Sequence, residues 1–199
     1  MNTQASRNCL PNLIYPRWSE TLHDHSHVLI RPIHPQDSAA ERAFIESLSL
    51  EARRYRFLGS MGRPSDRLIE QLTDIDYRHE MAFVAVVQED AHEKIVGVSR
   101  YSTDQEGHNC ECAVTVADAW QNKGLGTLLM KHLIEVARGN GIQRMYSIDS
   151  VENVEMTDLA KHLGFHTRRD PEDVRQVLHE LDLQAFHTTE MRGVSTGGK

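Results

Sequence analysis

The feature that most constrains the fold is a strand pattern followed, across a loop with two glycines, by a long amphipathic helix pattern. Residues 109 to 116 alternate in the manner of a strand, and the helical pattern runs from Gly124 to Arg138. Its apolar residues share one broad face: Leu125, Leu128, Leu129, Leu133, Val136 and Ala137. Gly139 and Gly141 then provide a stop signal. The pattern predicts a strand that delivers the chain to a helix N-terminus.

Further strand and helix patterns surround this unit. Alternating apolar residues predict strands at 27–33, 81–87, 95–101, 109–116, 142–148 and 174–183, with an outer strand beginning near Tyr15 and a turn at His25 and Ser26. Helical spacing predicts helices from Asp37 or Ser38 to Leu48, and at 49–58, 65–75 and 154–163. A chain of 199 residues has room for one core of ordinary size. We therefore expect one domain at 27–183, an N-terminal extension at 1–26 and a loose tail at 184–199.

The composition argues against several classes of protein. No stretch approaches the roughly 18 consecutive apolar residues of a membrane span, and the N-terminus lacks the pattern of a secretory signal. The net charge of −7 argues against general nucleic-acid binding, which needs clustered lysine and arginine. The twelve histidines form no tight ligand cluster, so no metal site is expected. Cys9, Cys110 and Cys112 make a poor disulfide framework, which indicates a cytoplasmic protein with free thiols.

The loop between the strand and the long helix has the properties of a phosphate site. A helix N-terminus offers unpaired backbone N–H groups and a partial positive charge, and Gly124 and Gly126 allow phosphate oxygens close to the backbone. The alternative is that the two glycines only make a tight turn. A dinucleotide fingerprint is excluded because its third glycine would stand at Leu129, and a Walker A loop is excluded because Gly-Lys-Ser/Thr is missing in that order.

The sequence also resembles a known family. The segment from Gln121 to Gly126 is similar to the Gln/Arg-x-x-Gly-x-Gly/Ala acyl-CoA loop of the GNAT superfamily of N-acetyltransferases. The resemblance covers about residues 27 to 183. It includes Arg31-Pro32-Ile33, Trp120-Gln121, and the stretch from Asn153 through Met156 to Leu163-Gly164-Phe165. Within the superfamily, the chain is most similar to the acetyltransferase domain of bacterial Pat-type protein lysine acetyltransferases, including the upstream Tyr15-Pro16.

This resemblance implies an α/β (α+β) fold and a cofactor site. The fold would be a mixed, mostly antiparallel sheet, flanked by helices and splayed between its fourth and fifth strands. Acetyl-CoA would be the co-substrate, with its pantetheine arm bonded by backbone groups of Val114 and Val116. The pyrophosphate would be held by Gln121, Asn122, Lys123, Gly124, Leu125, Gly126 and Thr127, with Lys123 adding charge. Asn153 would lie beside the arm, although its position equally suits a helix N-cap.

Acetylation of an amine requires a group that accepts a proton. A lysine-like ammonium has a pKa near ~10.4, and only the neutral amine attacks a thioester. Strand alternation separates Glu111 from the cysteines on either side of it, and Glu111 stands where similar Pat-type domains carry a catalytic glutamate. We expect it to act as general base, particularly if burial raises its pKa. The alternative is an exposed or ion-paired strand glutamate.

One position departs from the family pattern. Many GNAT enzymes carry a tyrosine acid four residues before the glycine that ends the last helix, where this chain has Ala160. Solvent or another group would then protonate coenzyme A. Cys110 and Cys112 face the valines, so we expect small core residues rather than an acyl-enzyme nucleophile, and we expect Trp120 to be a packing anchor.

Three functions remain open at this point. The first is transfer of an acetyl group to a primary amine, either a protein lysine or a small molecule such as a polyamine, an amino acid or a drug. The second is a GNAT-fold module that senses acyl-CoA without turnover. Ala160, in place of the tyrosine acid, is compatible with such a module. The third is protein interaction alone. The sequence is compatible with a monomer or a homodimer.

Overall fold

The computed structural model describes residues 16–57 and 62–184. Their strands form one eight-stranded sheet in the order β1-β2-β3-β4-β5-β6-β8-β7. The strands are β1 Trp18–Thr21, β2 His27–Pro32, β3 Glu80–Glu89, β4 His92–Thr103, β5 Asn109–Val116, β6 Arg144–Ser150, β7 His166–Arg169 and β8 Gln176–Asp182. Every neighbouring pair is antiparallel except β5 and β6. The predicted mixed, mostly antiparallel sheet is confirmed.

Helices flank the sheet. Within the described ranges there are five α-helices: α1 Ser38–Ser47, α2 Leu50–Phe57, α3 Asp66–Thr73, α4 Leu125–Gly139 and α5 Val154–His162. Short 3-10 turns at Pro35–Asp37 and Asp118–Trp120 lead into α1 and toward α4. None of the helices in these ranges is long and apolar enough to span a bilayer.

The sheet separates two apolar cores. One contains the buried face of α4, with Leu125, Leu129 and Leu133, packed against side chains of β3, β4 and β5. The other contains Phe44 of α1 and Ile69 of α3, packed against Val84, Val98 and neighbouring apolar residues of β3 and β4. Burial of apolar area on both faces fixes the central strands and the axis of α4 relative to one another.

The parallel pair β5 and β6 is paired over only three residues. Asn109 lies opposite Arg144, Cys110 opposite Met145 and Glu111 opposite Tyr146. Beyond this point β5 continues to Val116 alongside β4, while β6 continues to Ser150 alongside β8. The two strands therefore diverge, and they are the fourth and fifth strands of the 27–183 region because β1 precedes it. The splay implied by the family resemblance is confirmed.

Some boundaries and one strand differ from the predicted ones. The strand expected at 142–148 is Arg144–Ser150, because Ile142 packs in the core before the strand begins. The strand β7, His166–Arg169, was not predicted, since its sequence HTRR has no apolar alternation. It exists through pairing with β8. The outer strand is confirmed at Trp18–Thr21, whereas its expected start at Tyr15 lies outside the described residues.

The cysteines of β5 are core residues. Cys110 and Cys112 are buried and free, and burial raises the pKa of the Cys110 thiol to about 12 and that of Cys112 well above its usual value. A thiol that resists ionisation is a poor nucleophile. Cys9 lies outside the described residues.

Shortening Leu129 should destabilise the fold, because its fully buried side chain packs directly over Gly97 of β4. Leu129→Ala is expected to lower the free energy of unfolding by about 2–5 kcal/mol, measured by urea denaturation. Leu50→Ala is the matched control, since Leu50 is 78% exposed and its truncation should cost less than about 0.5 kcal/mol. Equal losses for the two variants would contradict this account of the core.

Candidate active site

A cleft of about 300 Å³ opens where β5 and β6 diverge. Its walls come from the end of β5, the loop before α4, the end of β6, the start of α5 and one side of α2. The predicted site residues that line it are Glu111, Val114, Val116, Gln121, Asn122, Gly124, Gly126, Thr127 and Asn153. The structure thus brings together all the predicted residues except Lys123 and Leu125.

The loop at one end of the cleft presents an uncapped helix N-terminus. Gly124 is the N-cap residue of α4, with φ +87°, and no side chain in the described part of the chain caps the helix. The first helical bond runs from the amide of Leu128 to the carbonyl of Gly124, so the amides of residues 125 to 127 precede the regular ladder. Asn122 also has a positive φ of 59°. These uncapped N–H groups carry the positive end of the helix dipole and suit a diphosphate.

Both glycines of the loop have a physical requirement. A Cβ on Gly124 would lie 2.9 Å from the ring of His23, and its φ disfavours other residues. A Cβ on Gly126 would meet Leu159 at 3.4 Å, an ordinary contact, so the space above Gly126 is open toward the cleft. Gly124 is therefore needed for packing and conformation, whereas Gly126 leaves room for a ligand.

Lys123 and Leu125 lie differently from the other loop residues. The Lys123 ammonium is 2.9 Å from an Asp24 oxygen and 4.8 Å from the centre of the Trp120 ring. Its charge is therefore directed toward the β1–β2 turn. Leu125 is 1% exposed and its side chain belongs to the core, so only its amide can serve a ligand. Trp120 packs against the same core, consistent with the predicted anchor.

The backbone of β5 at the cleft is partly engaged by the protein itself. The side-chain amide of Gln121 donates a hydrogen bond of 3.2 Å to the carbonyl of Val116. Val116 also lies opposite Gly97 in β4, and Val114 lies opposite Ser99. A ligand that uses the Val116 carbonyl would share it with Gln121 or displace that side chain. Gln121 thereby couples the loop to the splayed strand.

Asn153 caps α5. Its Oδ1 accepts a 3.1 Å hydrogen bond from the amide of Met156. This is the helix N-cap that the sequence allowed as one of two interpretations of Asn153. The side chain also lines the cleft. Because the cap uses only the oxygen, the amide nitrogen can still donate to a ligand.

Glu111 lies at the opposite end of the cleft from the loop glycines along β5. Its side chain is exposed to solvent and not buried. Its neighbours across the sheet are Ser102 of β4 and Tyr146 of β6, at the last paired position before the strands diverge. A carboxylate here is accessible to an acceptor amine entering from solvent.

Three charged residues of the cleft were missed by the sequence analysis: Arg56, Asp149 and Glu155. Arg56 of α2 gave no signal, since the helix pattern does not show which face meets the cleft. Asp149 was placed beyond a strand expected to end at Ile148, but it lies within β6, where an acidic residue in an apolar strand is the signal that could have found it. Burial raises the pKa of Asp149.

Asp149 has defined neighbours. Ser147 donates a 2.8 Å hydrogen bond to it, and the buried His179 ring nitrogen Nε2 lies 3.9 Å away. Among residues 16–57 and 62–184 that nitrogen has no hydrogen-bond partner, whereas Nδ1 of the same ring bonds Thr167 at 2.8 Å. Burial lowers the pKa of His179. Ala160, at the position of the family's tyrosine acid, is buried in the core.

A second cavity, of about 160 Å³, adjoins the cleft. Both are lined by Arg56, Glu111, Cys112 and Ala113, which therefore form the wall between them. The second cavity is also lined by Ile75, Glu80, Arg100 and Ser102. Glu111 thus faces the cleft on one side and the smaller cavity on the other.

The comparisons with known proteins agree with this architecture. Residues 36–165 match the Acetyltransferase (GNAT) family. An acetyltransferase of Pseudomonas aeruginosa is 52% identical over 166 residues, which cover 83% of this chain and 89% of the relative. Acetyltransferase Pat of Mycolicibacterium smegmatis is 32% identical over 80% of this chain, but the match spans only 46% of Pat.

Solved structures show the same fold. The GNAT domain of S. lividans PAT superposes with a TM-score of 0.78 at 26% identity, covering 84% of this chain and 99% of that domain. A Salmonella typhimurium protein solved with its cofactor acetyl-CoA superposes with a TM-score of 0.62 at 21% identity, covering 78% and 94% of the two chains. On the family match, the close relative and the fold together, this chain is a GNAT-family acetyltransferase.

Proposed function

We propose that the protein transfers an acetyl group from acetyl-CoA to a primary amine of a protein lysine, with both substrates bound together. The observation that carries the proposal is one continuous cleft from the uncapped amides of α4 to the carboxylate of Glu111. The lysine acceptor is proposed from the resemblance of the sequence to Pat-type protein lysine acetyltransferases, and the chain is similar to Pat and to the PAT GNAT domain. A structure of a fold relative with acetyl-CoA supports the donor.

The residues of the cleft fit coenzyme A. In this proposal the amides at 124–127, together with Gln121 and Asn122, hold the diphosphate, whereas the Lys123 ammonium is engaged by Asp24. Backbone groups of Val114 and Val116 bond the pantetheine arm, and Asn153 lies beside it. A strand N–H near Val116 stabilises charge on the acetyl oxygen. When bound, acetyl-CoA supplies an activated acyl group. The protein then has to orient that group and accept a proton from the attacking amine.

Glu111 is the proposed general base. An ammonium with a pKa near ~10.4 is almost fully protonated at neutral pH, so attack on a thioester requires removal of a proton. Glu111 accepts that proton directly or through a water molecule. Its position at the last paired residue before the strands part places the carboxylate beside the opening through which an acceptor reaches the cleft.

A second candidate function shares the same cleft. A non-catalytic acyl-CoA sensor would bind the donor without releasing coenzyme A, and the buried Ala160 in place of a tyrosine acid favours it. Release of thiol from acetyl-CoA in the presence of amines and candidate proteins separates the two functions. A small-molecule amine in place of a protein lysine remains a variant of the enzymatic proposal.

The domain limits belong to the same proposal. We infer that residues 27–183 form the catalytic domain and that 1–26 is an extension adding an outer strand. The pairing of β1 with β2 supports this assignment. The tail proposed at 184–199 lies, after Gln184, outside the described residues.

A negative charge at Gly126 should oppose binding of the diphosphate. Gly126→Asp is compatible with the first turn of a helix, which favours acidic residues, yet it places a carboxylate at the proposed phosphate position. Titration calorimetry should show at least about a 10-fold higher Kd for coenzyme A, or roughly 1.4 kcal/mol.

Gly126→Ala is the matched control for this position. Its methyl group makes only an ordinary contact with Leu159, so its Kd should stay within about threefold of the wild-type value. If wild-type protein gives no heat and no saturation with coenzyme A or acetyl-CoA, the proposed function itself is wrong.

Removal of the carboxylate at Glu111 should slow the chemical step. Glu111→Gln is expected to reduce kcat by about 100-fold or more while the Kd for coenzyme A stays unchanged, because the amide cannot accept the proton. Steady-state rates with a lysine-containing acceptor measure the effect. Glu106→Gln, in the exposed turn between β4 and β5, is the control. A Glu111→Gln enzyme with the wild-type rate would remove this assignment.

A further inference from the structure

The wall between the cleft and the second cavity contains an arginine that makes no direct ion pair with the described residues. Arg56 lies in the last turn of α2, half-buried, and faces both spaces. Among the described residues its guanidinium makes no hydrogen bond and no ion pair within 4 Å, and its central carbon lies 5.1 Å from the centre of the Phe57 ring. By contrast Arg54, two residues earlier and exposed, is ion-paired with Glu152.

The deeper charges of this region are matched to one another. Arg100 donates a 3.1 Å hydrogen bond to the carbonyl of Leu72 and lies 3.6 Å from the buried carboxylate of Glu41. Burial raises the pKa of Glu41 and lowers that of Arg100, although the opposite charge of each partner counteracts the effect. Glu41 lies within 4 Å of Arg100 but acts electrostatically on both arginines, so Arg56 is the cavity arginine without a direct ion pair among the described residues.

Arg56 remains charged at neutral pH. Burial, followed by the nearby charge of Arg100, lowers its pKa to about 10, and Glu41, Glu111 and Asp149 act in the opposite direction. A partly desolvated guanidinium without hydrogen bonds is costly to the folded protein. An anionic group entering the cavity would offset that cost. A carboxylate matches the planar fork of arginine, since it accepts two parallel hydrogen bonds, and it is small enough for this cavity.

Glu111, the proposed base for the acceptor amine, lies on the same wall as Arg56. Glu111 borders the same two spaces as Arg56, but the two side chains form no ion pair within 4 Å in the described structure. The wall therefore presents a carboxylate that can receive an amine and a guanidinium that can receive an anion. The second cavity, at about 160 Å³, is large enough for a carboxylate with a few carbons.

We propose that Arg56 binds a carboxylate carried by the amine acceptor, so that the preferred acceptor holds both groups a short distance apart. This inference rests on the proposed acetyl transfer at Glu111. The carboxylate has two possible sources, a free amino acid or an acidic side chain beside a lysine in a protein. Arg56 is then a specificity-determining residue of the acceptor site rather than part of the cofactor site.

The test uses pairs of acceptors that differ only in the carboxylate. One pair is free lysine and 1,5-diaminopentane, which lacks the carboxylate. The other is a lysine peptide with a neighbouring glutamate and the same peptide with glutamine. The wild-type protein should show at least about a 10-fold higher kcat/KM for the acidic member of one pair, as charged hydrogen bonds predict. The pair that shows the preference identifies the source of the carboxylate.

Variants then assign the preference to Arg56. Arg56→Gln should reduce the ratio between acidic and neutral acceptors to about 1, mainly through KM, and Arg56→Lys should keep an intermediate ratio because charge remains without the fork. Arg54→Gln, on the same helix but exposed, should keep the wild-type ratio. Thermal unfolding of each variant establishes that it is folded. If Arg56→Gln is not folded, the ratio measured with Arg56→Lys is the test.

Several outcomes overturn the inference while leaving the proposed function intact. Equal kcat/KM for both members of each pair is one, and an unchanged ratio in Arg56→Gln is another. A higher Kd for coenzyme A in Arg56→Gln with an unchanged acceptor ratio would place Arg56 in the cofactor site instead. Failure of acetyl transfer to every acceptor, together with the absence of coenzyme A binding, would reject the proposed function and this inference with it.

Discussion

The site depends on the point at which β5 and β6 stop pairing. Three residues of parallel register hold the strands together, and after Glu111 each strand stays with its other neighbour. Backbone groups in the middle of a sheet normally satisfy one another, so a gap there exposes polar groups that need partners. In this protein Gln121 already bonds one of them, the carbonyl of Val116. Around this gap, the N-terminus of α4, the start of α5, one side of α2 and the carboxylate of Glu111 line one cleft.

The two apolar cores explain why that gap can exist in a stable fold. The buried face of α4 packs on the central strands, and Leu129 lies directly over Gly97. The axis of α4, and with it the direction of its uncapped amides, is therefore set by burial of apolar area and not by the loop. The short loop can then adopt positive φ angles at Asn122 and Gly124 without losing its position. Rigid packing of the apolar face of α4 on the sheet permits uncapped backbone amides at the N-terminus of the same helix.

Periodicity and local chemistry made much of this predictable from sequence. The apolar face of α4, the glycine loop and the alternation of β5 are local patterns, and the structure has them within one or two residues. The partners of charged groups were not predictable in the same way. Lys123 meets Asp24, and Arg56 faces the cleft, through contacts between distant segments of the chain. The strand β7 also has no local signature, since it depends on β8 for its hydrogen bonds.

The turn between β1 and β2 has a consequence for the loop that it touches. The amide of His23 donates to the carbonyl of Lys123, the His23 ring covers Gly124, and Asp24 holds the Lys123 ammonium. Ordering of the sheet edge and ordering of the loop are therefore thermodynamically linked. A ligand that rigidifies the loop therefore also slows hydrogen exchange at the backbone amides of that sheet edge. Fraying of the edge lowers the affinity for the ligand by the same factor.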